Sequence, residues 1–157
     1  MKKYTLNRYR RTPIYILLGK AIRKVYESII ELMTVPKLYD PFRKLPFSGH
    51  AMQKLLKDYE FTSVLDIGSG EGVHADILQS HNKIVTTIDY GDSIYFERAD
   101  IAGTARSTII ADFNEYNFTS KYDAVWCSHV LEHQPNPNIF LIKIYSLLKE
   151  GGVLAIT

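Results

Sequence analysis

Asp66-Ile67-Gly68-Ser69-Gly70-Glu71-Gly72, three alternating glycines behind an acid, is the stretch of this 157-residue chain best suited to holding a ligand. With no Cβ at every second position, a ligand's atoms can hug the backbone, and the turn can adopt the positive φ that such a loop needs. Asp66 stands two residues ahead of the first glycine, where it would repel a pyrophosphate and favour a ligand carrying a positive group. Asp89 follows, 17 residues past Gly72. A carboxylate at that distance can accept from both hydroxyls of a ribose; an ordinary turn aspartate ahead of Gly91 is the plainer alternative. His129, Glu132 and His133 are spaced i, i+3 and i+4. Sharing one face of a helical turn, they could hold a divalent metal, and either histidine could act as a general base.

These residues need elements to carry them. Val64 to Ile67 is a short apolar run that ends abruptly in glycine, and Val73, Ile77 and Leu78 then recur at helical spacing. That is the pattern of strand, tight loop and helix. The dinucleotide fingerprint G-x-G-x-x-G differs from the spacing here, which is G-x-G-x-G with Val73 following. Upstream, Ser48 or Gly49 opens a helix through Lys57, with Met52, Leu55 and Leu56 on its buried side. Further strands are expected at Ile84–Ile88, Ser107–Ile110, Tyr122–Cys127 and Val153–Thr157, with a helix from Asn138 to Lys149 ended by Gly151-Gly152. Strands alternating with helices in this way predict a three-layer α/β/α, Rossmann-like sheet of five mostly parallel strands.

Asp66, Gly68, Gly70 and Gly72 match without a gap the acidic-x-Gly-x-Gly-x-Gly motif of the class I S-adenosylmethionine-dependent methyltransferases, and the chain resembles that family from Ser48 to Thr157. The Leu131-Glu132-His133 segment after the fourth strand and Leu147-Leu148-Lys149 ahead of Gly151-Gly152 agree with it. The resemblance implies that S-adenosyl-L-methionine is the cofactor. It also implies that Asp66, Gly68, Ser69, Gly70 and Gly72 surround it, that Asp89 meets its ribose, that Tyr90 also binds it, and that Asp112 and Phe113 take the adenine amino group and ring. Asp112 could equally be a turn former. Ser128 would lie at the cofactor's methyl side, with His129 and His133 as candidate catalytic residues. In this fold Glu132 and His133 also serve as hydrogen-bonding anchors.

The resemblance further implies transfer of a methyl group to an oxygen or nitrogen of a small molecule or glycan. An inactive or partial cofactor-binding module acting through a partner chain is the alternative. DNA acceptors are demoted: no Asn or Asp precedes a Pro-Pro-aromatic run at this place, and Cys127 follows Trp126 rather than proline. Two further strands are implied beyond the fifth, so a C-terminal truncation is expected, with strands supplied by another chain as the alternative; an open fifth strand would invite pairing or aggregation.

Composition adds bounds. Apolar residues make up 46% and charged residues 23%, ordinary values for a soluble globular protein. The single cysteine, Cys127, excludes an internal disulfide and a cysteine zinc site and fits a reducing compartment. Residues 1–26 carry eight Lys or Arg and no acid, within a net charge of +2. They read as a basic arm over 1–12, followed by an amphipathic helix from Pro13 to the residues before Pro36, with Ile14, Leu17, Ala21, Ile22, Val25 and Ile29 among its apolar positions. Lys20, Arg23, Lys24, Glu27 and Glu31 interrupt any membrane span, and the apolar run is too short for a secretory signal. The expected organisation is therefore an N-terminal segment 1–47 ahead of a cofactor-binding domain 48–157, in the cytoplasm. The basic start could make weak contact with an anionic surface or simply be solvated.

Overall fold

In the computed structural model, residues 19–25, 28–29, 37–45, 47–92 and 108–157 are described. Residues 19–25 and 28–29 are helical, within the span read as amphipathic. The basic arm, the rest of that span and the segment 93–107 lie outside the described residues. No helix among the described residues is long and apolar enough to cross a membrane. The chain forms two units, residues 1–37 and Leu38–Thr157, a division earlier than the expected one at residue 47. Phe42 and Leu45 show why: both are buried in the core of the second unit.

That unit is a five-stranded parallel sheet of β1 (Ser63–Ile67), β2 (Ile84–Asp89), β3 (Ile109–Ile110), β4 (Tyr122–Cys127) and β5 (Leu148–Ile156) in the order β3-β2-β1-β4-β5. The helices are α1 (Gly49–Asp58), α2 (Val73–Ser80) and α3 (Pro137–Leu147), with 3₁₀ turns at Phe42–Lys44 and Leu131–His133. Parallel neighbours require crossovers, and helical crossovers cover both faces, so the central strands β1 and β4 are buried along nearly their whole length. Val64, Ala124 and Trp126 turn toward Met52 and Leu55 of α1 and Ile77 and Leu78 of α2. Leu65, Ile67, Val125 and Cys127 turn the other way, toward Phe140, Ile144 and Leu147 of α3. Period-two alternation along β1 and β4 thus builds two cores on one sheet.

Two details depart from the sequence reading. Strand β3 spans Ile109–Ile110 and leaves out the expected Thr108, while Ser107 lies outside the described residues. Helix α3 ends at Leu147 rather than Lys149, and strand pairing starts at Leu148, five residues ahead of the expected Val153. Leu148 pairs with Tyr122 and Val153 with Ala124, so Lys149 to Gly152 form an irregularity within the strand. The cause is Asp123. Its carboxylate accepts from the Ser63 and Thr62 N–H groups, the Ser63 hydroxyl and, at 2.8 Å, Lys149 Nζ. Lys149 first, and then the Ser63 donors, hold this carboxyl well below the usual carboxylate range. One acid therefore ties the starts of β1, β4 and β5 together and draws the chain onto the sheet before the glycine pair.

Candidate functional site

The ends of β1, β2 and β4 are level, because Ile67 pairs with both Ile88 and Cys127. Beyond them opens a cavity of about 960 Å³. The chain runs outward through β2 and β3 on one side of β1 and through β4 and β5 on the other, so the cavity lies at the switch point where open α/β sheets bind ligands.

The glycine loop forms its floor. Gly68, Gly70 and Gly72 all have positive φ, at 72°, 49° and 81°. At Gly68 there is also no room: a Cβ would strike Val130 Cγ2. The Gly68 and Ser69 N–H groups donate to Ile88 O, which folds the loop back over β2, and Gly70 N–H donates to Asp89 Oδ2 at 2.9 Å. Asp89 Oδ1 accepts from Gly91 N–H at 3.0 Å. Each carboxylate oxygen can accept a further bond, so this acid can still receive a pair of hydroxyls. Ser69 lines the cavity, and its buried Oγ has no hydrogen-bond partner among the described residues. Such a group costs about 1–3 kcal/mol unless a ligand or water completes it.

At the β3 side, Asp112 Oδ1 accepts from Asn114 N–H at 2.7 Å and from Asn114 Nδ2, and the Tyr90 hydroxyl also donates to this carboxylate. Burial pushes the Asp112 carboxyl up, but those donors and Lys143 outweigh it, and it lies below its ordinary value. The same hydrogen bond, followed by burial and the charge of Asp112, raises Tyr90 to about 12. Asn114 Nδ2 also donates to Gln134 Oε1 at 2.9 Å, joining the β3 loop to the segment after β4. Phe113 lines the cavity with its ring packed on Phe140, centroids 5.0 Å apart.

At the β4 side, Ser128 is nearly buried, and its Oγ accepts from the Thr157 hydroxyl at 2.8 Å. His129 has φ 54°, its N–H donates to Thr157 O, and its Nδ1 lies 3.4 Å from Glu132 Oε1. The expected single helical face of His129, Glu132 and His133 does not form. The 3₁₀ turn holds Leu131 to His133 alone, and the left-handed backbone at His129 swings that residue out of it. Among the described residues no three His, Cys, Asp or Glu side chains are grouped to hold a metal.

Of the residues the sequence proposed, Gly68, Ser69, Gly70, Asp89, Tyr90, Asp112, Phe113, Ser128, His129 and His133 line the cavity. Gly72 and Asp66 lie behind it. Gly72 caps α2, and Asp66, 1% exposed, sits mid-strand between Thr87 and Trp126. Among the lining residues that the sequence reading did not single out are His74, Lys44 and Phe47. His74 had a readable signal, since a side chain in the first turn after a glycine loop leans back over that loop. Its Nε2 is 2.8 Å from Ser48 Oγ and its ring packs on Trp126 at 5.2 Å. Burial first, and then the charge of His129, lower it from 6.5 to about 4, so it is neutral.

The methyltransferase-domain family matches residues 65–156 of this chain. The ubiquinone biosynthesis O-methyltransferase of Glaesserella parasuis is 33% identical over 103 residues, covering 60% of this chain and 44% of that protein. Its counterpart in Coxiella burnetii is 30% identical over 95 residues, covering 58% and 41%. The chain thus spans less than half the length of these curated relatives. Among solved structures, the sugar N-methyltransferase KedS8 from Streptoalloteichus superposes with a TM-score of 0.58 at 22% identity, covering 78% of this chain and 54% of that one. The N-methyltransferase NodS from Bradyrhizobium japonicum, in complex with S-adenosylhomocysteine, gives 0.57 at 21%, covering 74% and 61%. At such identities the structures establish the shared fold.

Two outcomes are expected. Gly68→Ala meets both the Val130 contact and the positive φ, so thermal unfolding should show a loss of about 1–3 kcal/mol, relieved in part by Val130→Ala. For His74, the unfolded chain takes up a proton below about pH 6.5 and the folded chain only below about pH 4. Between those values the unfolded state binds more protons, so stability falls as pH falls. The Tm advantage of the natural chain over His74→Gln should therefore shrink from about pH 7 to about pH 4, and a constant gap would contradict a buried neutral imidazole.

Proposed function

Because this chain belongs to the methyltransferase-domain family, we propose that it binds S-adenosylmethionine in the cavity and transfers a methyl group to an oxygen or nitrogen of a small molecule or glycan. The observation that carries the reading is the Asp89 carboxylate bridging the Gly70 and Gly91 N–H groups at the lip of three positive-φ glycines. Asp89 accepts the ribose hydroxyls there, and Ser69 Oγ supplies a donor or acceptor beside it. Phe113 lines the adenine subsite, and the Asp112 carboxylate with the Tyr90 hydroxyl gives that end its polar edge. The glycine loop follows the amino-acid part, with buried Asp66 beneath it, and Ser128 flanks the methyl side.

When bound, S-adenosylmethionine supplies an electrophilic methyl group on a sulfonium. The chain's own contribution is alignment and exclusion of water. For a hydroxyl acceptor, a base must also remove the proton. His129 suits this better than His133. Glu132 lies against Nδ1, which orients the ring and leaves Nε2 available to accept the proton. The sequence relatives are named as O-methyltransferases, which favours the hydroxyl, whereas NodS and KedS8 are named as N-methyltransferases.

Calorimetric titration with S-adenosylhomocysteine tests the cofactor site. Micromolar binding is expected, weakened about 10- to 100-fold in Asp89→Ala, as befits two lost hydrogen bonds to a charged group. No binding by the folded natural chain would refute the reading. With an acceptor in hand, His129→Ala should lower kcat by about 100-fold or more while S-adenosylhomocysteine affinity holds. Unchanged turnover would remove His129 as the base.

A further inference from the structure

We propose that the acceptor carries an anionic group on a flat, ring-like body, with Lys44 taking the anion and Phe47 covering the ring. The inference rests on the cavity being a methyl-transfer site and concerns the half of it that the cofactor reading leaves unassigned.

The cavity has two unlike ends. Over β2 and β3 stand Asp89, Asp92 and Asp112. Over β1 and β4 stand Lys44, His74, His129 and His133, with Glu71 as the one lining carboxylate among the described residues on that side. Strands β3 and β4 are separated by β2 and β1, so the ends lie about 14 Å apart at the usual strand spacing. Glu132 is engaged by His129 and is not part of the wall. Because burial keeps His74 neutral, the fixed positive charge at this end belongs to Lys44. Its side chain makes no ion pair or hydrogen bond among the described residues, yet its backbone is well held. Lys44 N–H donates to Pro41 O, and the neighbouring Phe42 and Leu45 are 8% and 5% exposed. An unpaired cation on an anchored turn that lines the cavity is placed to meet an anion.

Phe47 supplies the second observation. It is 91% exposed although aromatic, and it has φ 65°, a backbone region that is unfavourable for a bulky side chain. The chain beside it is fixed: Ser48, 1% exposed, bonds His74 through Oγ, and Gly49 has no room for a Cβ against Phe42 O. The Phe47 ring stands edge-on to His129 with centroids 6.1 Å apart. A strained, exposed ring held beside the candidate base provides a wall for a flat acceptor, and strain of this kind is found at ligand clamps.

The test titrates the full chain with 3,4-dihydroxybenzoate and with its neutral amide, 3,4-dihydroxybenzamide, each with and without saturating S-adenosylhomocysteine. The acid should bind about tenfold tighter than the amide, as expected for a charge-assisted contact, and Lys44→Gln should bring the ratio near one while S-adenosylhomocysteine affinity holds. Phe47→Ala should weaken acid and amide alike. Equal binding of acid and amide, a ratio that survives Lys44→Gln, or binding of neither probe would overturn the inference. So would a Lys44→Gln loss confined to S-adenosylhomocysteine, which would give the lysine to the cofactor's own carboxylate. If S-adenosylhomocysteine itself fails to bind, the methyl-transfer reading falls, while the acid-to-amide ratio without it still decides the charge preference.

Discussion

Strand β1 must leave the sheet at Gly68, directly beneath Val130, where there is no space for a side chain. The rest of the site depends on that constraint. Because the backbone can turn there with positive φ, the next amides reach sideways to Ile88 O and the Asp89 carboxylate instead of continuing the ladder. The loop is thus stitched to β2 on one side and packed under the segment after β4 on the other. Each contact closes one side of the same cavity. A larger residue at Gly68 would press on Val130 and disturb the loop beneath it.

Burial and electrostatics have separate tasks in this fold. The stabilising bulk comes from two apolar layers, with Trp126 and Phe140 fully buried on opposite faces. Burying one such side chain contributes about 1.5–3 kcal/mol. The Asp123–Lys149 pair is partly exposed, and such pairs contribute about 0–1 kcal/mol. Its effect is to set register, by fixing where β5 joins β4. At the cavity, charge sorts ligands. Carboxylates over β2 and β3 suit hydroxyl and amino donors, while the imidazoles, Lys44 and Phe47 over β1 and β4 suit a different chemistry.

Much of this was legible in order along the chain. The run from Val64 to Gly72 showed its strand and its positive-φ turn because apolar period and glycine spacing are local properties. Asp89 was legible from its spacing past Gly72, whereas Asp112 and Ser128 were named through the family resemblance; all three line the cavity because residues at the ends of aligned parallel strands reach one edge. The ends of α3 and β5 were less readable. Gly151-Gly152 looked like a helix stop, but Asp123, 26 positions before Lys149, had already drawn the chain onto the sheet. The histidine cluster failed similarly, because i, i+3, i+4 spacing means a shared face only in an α-helix, and a hydrogen bond from His129 N–H to Thr157 O prevents one.

The sequence by itself determined the element order, the glycine turn and the acid that ends β2, because each follows from the period, spacing or chemistry of residues close together in the chain. Tertiary structure alone decided that His74 is buried and neutral against Ser48 and Trp126, that Phe47 stands beside His129, and that Lys44 faces the cavity without a partner among the described residues. Desolvation and contact depend on what lies nearby in space, and these partners come from segments far apart along the chain.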